Sequence, residues 1–171
     1  MFNSMDKKEF TNILRDWLKN FLERKVSSTH DILEIMVPES NLSKINSEQI
    51  KQISNYSSWE FKPDVLAILK DKSSGKLELV ILNRSISALS LKEIGEINCY
   101  ARLTGAYMAL LASTNAVSNE VNILLLEDSI KNRVLGYEED KQVIVFGWDE
   151  KNNRINTDSI IPFEQKDFLN S

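Results

Sequence analysis

Cysteine and histidine are nearly missing from this 171-residue chain, which has one of each, Cys99 and His30. A lone cysteine forms no internal disulfide, and one thiol with one imidazole is too few for a zinc site of the Cys and His kind. A Ser–His or Cys–His catalytic pair would have to be built around His30; no partner motif surrounds it, so His30 reads as a loop residue. The five glycines are scattered, and none is spaced as a phosphate-binding loop between a strand and a helix. No apolar run approaches the roughly 18 residues of a membrane span, and the N-terminus has no apolar segment of the signal-peptide kind. A cytoplasmic location with no membrane partner is therefore expected. Positive charge is also in deficit. A net charge of −4 and a pI near 5.2 argue against binding nucleic acid through bulk electrostatics, which leaves a local patch as the route to such contact.

The chain has the length and apolar content of one ordinary domain, residues 1–171, with a core over about 7–113 and C-terminal strands and tail over about 114–171. Phe10, Ile13, Leu14, Trp17, Leu18, Phe21 and Leu22 recur at helical spacing, with Asp6 and Glu9 placed as a capping box, so a helix is expected over about Lys7 to Lys25. Its charged face, which includes Glu9 and Glu23, reads as solvated. A strand follows over about Asp31 to Pro38, with Ile32, Ile35 and Val37 as its apolar positions. Residues 39–60 turn polar, and Ser47 is placed to cap a short helix. Trp59 and Phe61 read as the edge of the core rather than as a base-stacking platform.

The stretch from Phe61 to Tyr100 organises the rest. Pro63-Asp64 opens the apolar run Val65 to Leu69, a polar loop with Gly75 turns the chain, and Leu77 to Leu82 returns, which is a hairpin signal. Ser90 and Glu93 are spaced as a capping box for a helix that carries Lys92, Glu96 and Tyr100 on one face, while Leu91, Ile94, Asn98 and Ala101 form another stripe. Ala106 to Ser113 reads as a central strand buried on both faces. Ser118 caps a further helix using Val121, Leu124 and Leu125. Arg133 to Tyr137 and Gln142 to Trp148 then flank the acidic turn Glu138-Glu139-Asp140 as a second hairpin, and Ile160, Ile161 and Phe163 are expected to dock the tail.

The order helix, strand, Pro-Asp strand, turn, apolar strand and helix resembles the PD-(D/E)XK, or restriction-endonuclease-like, superfamily from the first helix to about Ser113. The resemblance implies an α/β fold: a three-layer core with a mixed central β-sheet flanked by helices. It also implies that Asp64 is a metal ligand, and that an acid-x-Lys triplet on the next strand adds a second ligand and a lysine that orients water. Two carboxylates holding Mg2+ or Mn2+ would lower the pKa of a bound water and screen charge on a phosphate. In this chain Ile81-Leu82-Asn83 stands where the triplet should be. Isoleucine cannot bind a cation, Asn83 can position water but has no charge, and Glu78 points to the opposite face. The following helix offers Glu96, and Glu96-x3-Tyr100 resembles the Gln-x3-Tyr element of one branch; Lys62 and Lys92 are nearby cations. The expected site is thus Asp64, Asn83, Glu96 and Tyr100, with Asp64 and Glu96 as metal ligands.

From this resemblance follows the expectation of a nuclease-fold domain with an incomplete metal site. It would act as a binding or regulatory component in DNA processing or host defence, with DNA as the favoured nucleic acid and a protein partner or homo-oligomer as other binding modes. The rival expectation is an active Mg2+-dependent DNA endonuclease using Asp64 and Glu96. A third is a structural or assembly subunit.

Overall fold

A computed structural model describes residues 5–170. The first helix, α1 (Lys7–Lys25), begins where the Asp6 carboxylate accepts the Glu9 backbone N–H, which satisfies one of the donors a helix start leaves unpaired. Its buried stripe, Phe10, Leu14, Leu18, Phe21 and Leu22, lies against one face of the sheet. Strands β1 (His30–Met36), β2 (Val65–Asp71) and β3 (Leu77–Ser85) form an antiparallel meander. The loop between β1 and β2 carries the expected short helix α2 (Glu48–Lys51), capped by the Ser47 hydroxyl.

Helix α3 (Leu91–Thr104) then crosses to β4 (Met108–Ser113), which lies parallel to β3. The Ser90/Glu93 capping box starts α3, and Gly105 ends it in the left-handed conformation, φ 58°, that glycine adopts without a Cβ clash. Helices α4 (Asn119–Leu124) and α5 (Asp128–Leu135) follow, then the short ribbon β5 (Gly136–Glu138) with β6 (Lys141–Gln142). Strand β7 (Ile144–Asp149) returns to the sheet parallel to β4, β8 (Arg154–Ile161) closes its edge antiparallel to β7, and α6 (Lys166–Asn170) ends the described chain. The strand order is β1-β2-β3-β4-β7-β8.

The architecture is α/β in three layers, with a six-stranded mixed sheet between helices. The period of two sorts the apolar side chains. Val65, Ala67, Leu69, Val80 and Leu82 face α1, whereas Leu66, Ile68, Leu79 and Ile81 face α3 through Ile94, Ile97 and Ala101. Burying this many aliphatic side chains on both faces, at roughly 1.5–3 kcal/mol each, drives the packing of the layers.

Four expectations change. The second hairpin is shorter than expected: only β5 and β6 pair around the acidic turn, while Val134 and Leu135 lie in α5 and Ile144 to Trp148 leaves to pair with β4. What holds α5 is Asn98, whose side-chain amide donates to the Val134, Leu135 and Gly136 carbonyls that a helix end leaves unpaired. Leu91 is exposed at the start of α3, and Ile97 takes its place in the buried stripe. Phe163 is exposed, whereas Ile160 and Ile161 pack as expected and are joined by Leu169 and Phe168. His30 is not a loop residue but the buried first residue of β1.

Candidate functional site

Asp64 lies one residue ahead of β2, at the end of the hairpin away from its turn. Register runs Val65 opposite Leu82, which brings Asp64 beside Asn83. The two residues meet through one structure-making bond: the Asp64 backbone N–H donates to Asn83 Oδ1 at 3.2 Å. The Asp64 carboxylate is occupied from the other side. Its Oδ2 accepts the Arg84 backbone N–H at 2.9 Å, and its Oδ1 lies 3.9 Å from the Arg84 guanidinium. Arg84 is itself fixed, with Nε donating to Thr11 Oγ1 at 2.9 Å and to the Lys7 carbonyl at 3.2 Å in the first turn of α1. Both side chains are mostly shielded, at 26% exposure for Asp64 and 19% for Arg84. A divalent ion on Oδ1 would have to sit beside a fixed cation, and like charges disfavour that arrangement.

Glu96 and Tyr100 are also brought together. The Tyr100 hydroxyl donates to Glu96 Oε1 at 2.9 Å across one turn of α3. Burial, followed by this bond to the carboxylate, pushes the Tyr100 phenol up to about 12, so at neutral pH it is a donor and not a base. Its ring stacks on Phe61 at 4.1 Å between centroids and 11° between planes, which ties the outer face of α3 to the segment leading into Pro63-Asp64. Among the described residues, no hydrogen bond or ion pair joins Asp64 or Asn83 to Glu96 or Tyr100. Ile81 is fully buried in the α3-side core, packed where the resemblance would place an acid. Lys62 is exposed and precedes β2.

At the turn end of the same hairpin stands a second cluster. His30 Nε2 lies 3.0 Å from Glu78 Oε2 and 3.8 Å from Asp71 Oδ2. One donor atom from each of these residues lies within 4.8 Å of the other two, and this is the one convergence of three such groups among the described residues. His30 Nδ1 is 2.8 Å from Thr29 Oγ1, and the imidazole packs 4.6 Å from the Tyr107 ring. Asp71 Oδ1 accepts the Ser73 hydroxyl and the Ser73 and Ser74 backbone N–H groups, which hold its carboxyl well below the usual range. Burial first, then the charges of Glu78 and Asp71, push the Tyr107 phenol up.

The sequence reading missed Arg84 and the His30 cluster. Arg84 had one available signal: it follows Val80 and Leu82 on the α1-facing parity of β3, directly after Asn83. His30 to Glu78 spans 48 residues and leaves no local pattern.

A cleft of about 470 Å3 opens between α1 and the β7–β8 hairpin, lined in part by Trp17, Arg24, Trp148 and Arg154, and its walls include none of Asp64, Asn83, Glu96 or Tyr100. No helix among the described residues is long and apolar enough to cross a membrane. No family model matches the chain, and no curated protein matches its sequence.

Proposed function

We propose that this chain is a nuclease-like domain whose hydrolytic centre is closed, acting as a binding or regulatory component in DNA processing or host defence. The observation that carries the reading is the pairing of Asp64. The one carboxylate at the expected place is held by the Arg84 amide and faces its guanidinium, while Ile81 offers hydrocarbon in place of a second ligand. A fixed arginine supplies positive charge without the ability of a metal ion to lower the pKa of a bound water. The order of elements from α1 to β4 is compatible with the resemblance, and the setting of DNA processing or defence rests on that resemblance alone.

The rival reading, an active Mg2+-dependent endonuclease using Asp64 and Glu96, draws on the Phe61–Tyr100 stack, which tethers the Glu96–Tyr100 pair to the approach to Asp64. One assay separates the two. Supercoiled plasmid incubated with the chain and Mg2+ or Mn2+ is expected to remain intact, and labelled duplex DNA is expected to be bound equally with and without EDTA. Nicking that needs the metal and disappears in Asp64→Ala would overturn the proposal in favour of the endonuclease. Intact plasmid together with no DNA binding would move the partner from DNA to protein.

A further inference from the structure

We propose that His30, Asp71 and Glu78 form a binding site for a divalent transition-metal cation of the zinc class, which clamps the start of β1 to the turn end of the β2–β3 hairpin. The inference goes beyond the reading of Asp64 and is independent of it. The three ligands come from three adjacent strands: His30 and Asp71 are register partners on β1 and β2, and Glu78 is the second residue of β3. A tetrahedral ion with bonds of about 2.0–2.1 Å needs donors about 3.3 Å apart. The observed separations of 3.0 and 3.8 Å from His30 Nε2 bracket that value.

Each ligand is oriented by a bond on its far side, as metal ligands are. Asp71 spends Oδ1 on Ser73 and Ser74 and turns Oδ2 toward the imidazole. Glu78 places Oε1 3.3 Å from Lys76 Nζ and Oε2 at His30. With a metal on Nε2, Nδ1 keeps its proton and donates to Thr29 Oγ1, whose own hydroxyl donates to the Val26 carbonyl at 3.2 Å. With no metal, a proton on Nε2 bonds Glu78 in the same place. The His30 side chain is only 5% exposed, so its ring cannot rotate away cheaply. One imidazole with two carboxylates favours Zn2+, with Mn2+ weaker; Mg2+, which prefers an all-oxygen octahedron, is disfavoured. Three protein ligands leave a fourth position for water.

Because the chain has a single histidine, the imidazole 15N spectrum of the tag-free, EDTA-stripped protein reports this ring alone. One equivalent of Zn2+ is expected to move the Nε2 signal to a metal-bound position while Nδ1 stays protonated. Mg2+ is expected to leave both unchanged. A hundredfold excess of Zn2+ over its Kd should raise Tm by about 5–10 °C. Glu78→Gln, which keeps the side-chain volume and a polar contact to His30, should weaken binding at least about tenfold. An imidazole spectrum unmoved by saturating Zn2+ overturns the site. So does a Tm rise of equal size in wild type and Glu78→Gln. An equal response of the imidazole to Mg2+ overturns the class of ion.

Discussion

At the open end of the β2–β3 hairpin one carboxylate, Asp64, faces a guanidinium, and at the turn end two carboxylates, Asp71 and Glu78, face one imidazole. A guanidinium is always charged and cannot serve as a ligand, so where Arg84 is fixed by α1 the position is closed to another cation. An imidazole can give up its proton and offer a lone pair in its place. One supersecondary unit thus holds acidic groups in two ways, one permanent and one exchangeable, and the difference comes from the partner side chain rather than from the carboxylates.

The comparison breaks most sharply if an acid can be restored at the open end. Ile81→Glu would place a carboxylate in the fully buried core beneath α3, and a destabilisation of at least about 3 kcal/mol in chemical unfolding, with no protection by Mg2+, is expected. A variant of near wild-type stability that gains Mg2+-dependent protection would mean that the site is merely unfinished. Arg84→Met should cost about 1–3 kcal/mol, since it leaves Thr11 and the Lys7 carbonyl without their charged donor and Asp64 without its cation. If Arg84 is what closes the position, this variant should also respond weakly to Mg2+ in thermal unfolding where wild type does not. At the other end, Glu78→Gln in metal-free protein should cost only about 1 kcal/mol, and adding Zn2+ should widen its gap from wild type.

The smallest effect is a control on the helix that carries Glu96 and Tyr100. Burial pushes the Glu93 carboxyl up, but bonds from the Ser90 hydroxyl and Ser90 amide outweigh it and hold the group below its usual value of 4.5. Because the folded value is the depressed one, its contribution is complete above about pH 4.5 and fades as pH falls through the lower folded value. Glu93→Gln should therefore lose about 0.5–1 kcal/mol at pH 7 and converge on wild type in acid, as measured by urea unfolding at several pH values. This dependence should be the same whether or not Zn2+ is present.

What could be read in the sequence was local. The 3.6 period of α1, the apolar runs of β2 and β3 and the Ser90/Glu93 spacing each specify one element from neighbouring residues, and these elements form as expected. Asp64 and Asn83 meet because a hairpin register is fixed by its turn. What escaped depends on distant partners. Val134 and Leu135 have strand-like composition, yet Asn98 from α3 satisfies their carbonyls and makes them a helix end. His30 looks solvated until Asp71 and Glu78 arrive from two other strands. The role of Arg84 becomes visible only once α1 presents Thr11 and the Lys7 carbonyl to its guanidinium.

The contrast between the two ends can be tested in a single measurement, an anomalous difference map from crystals of the chain equilibrated with Mn2+ or Zn2+. The account predicts a peak within about 2.0–2.6 Å of His30 Nε2, Asp71 and Glu78 and no peak at Asp64. A metal bound to the Asp64 carboxylate, with Arg84 displaced and the His30 cluster bare, would contradict it.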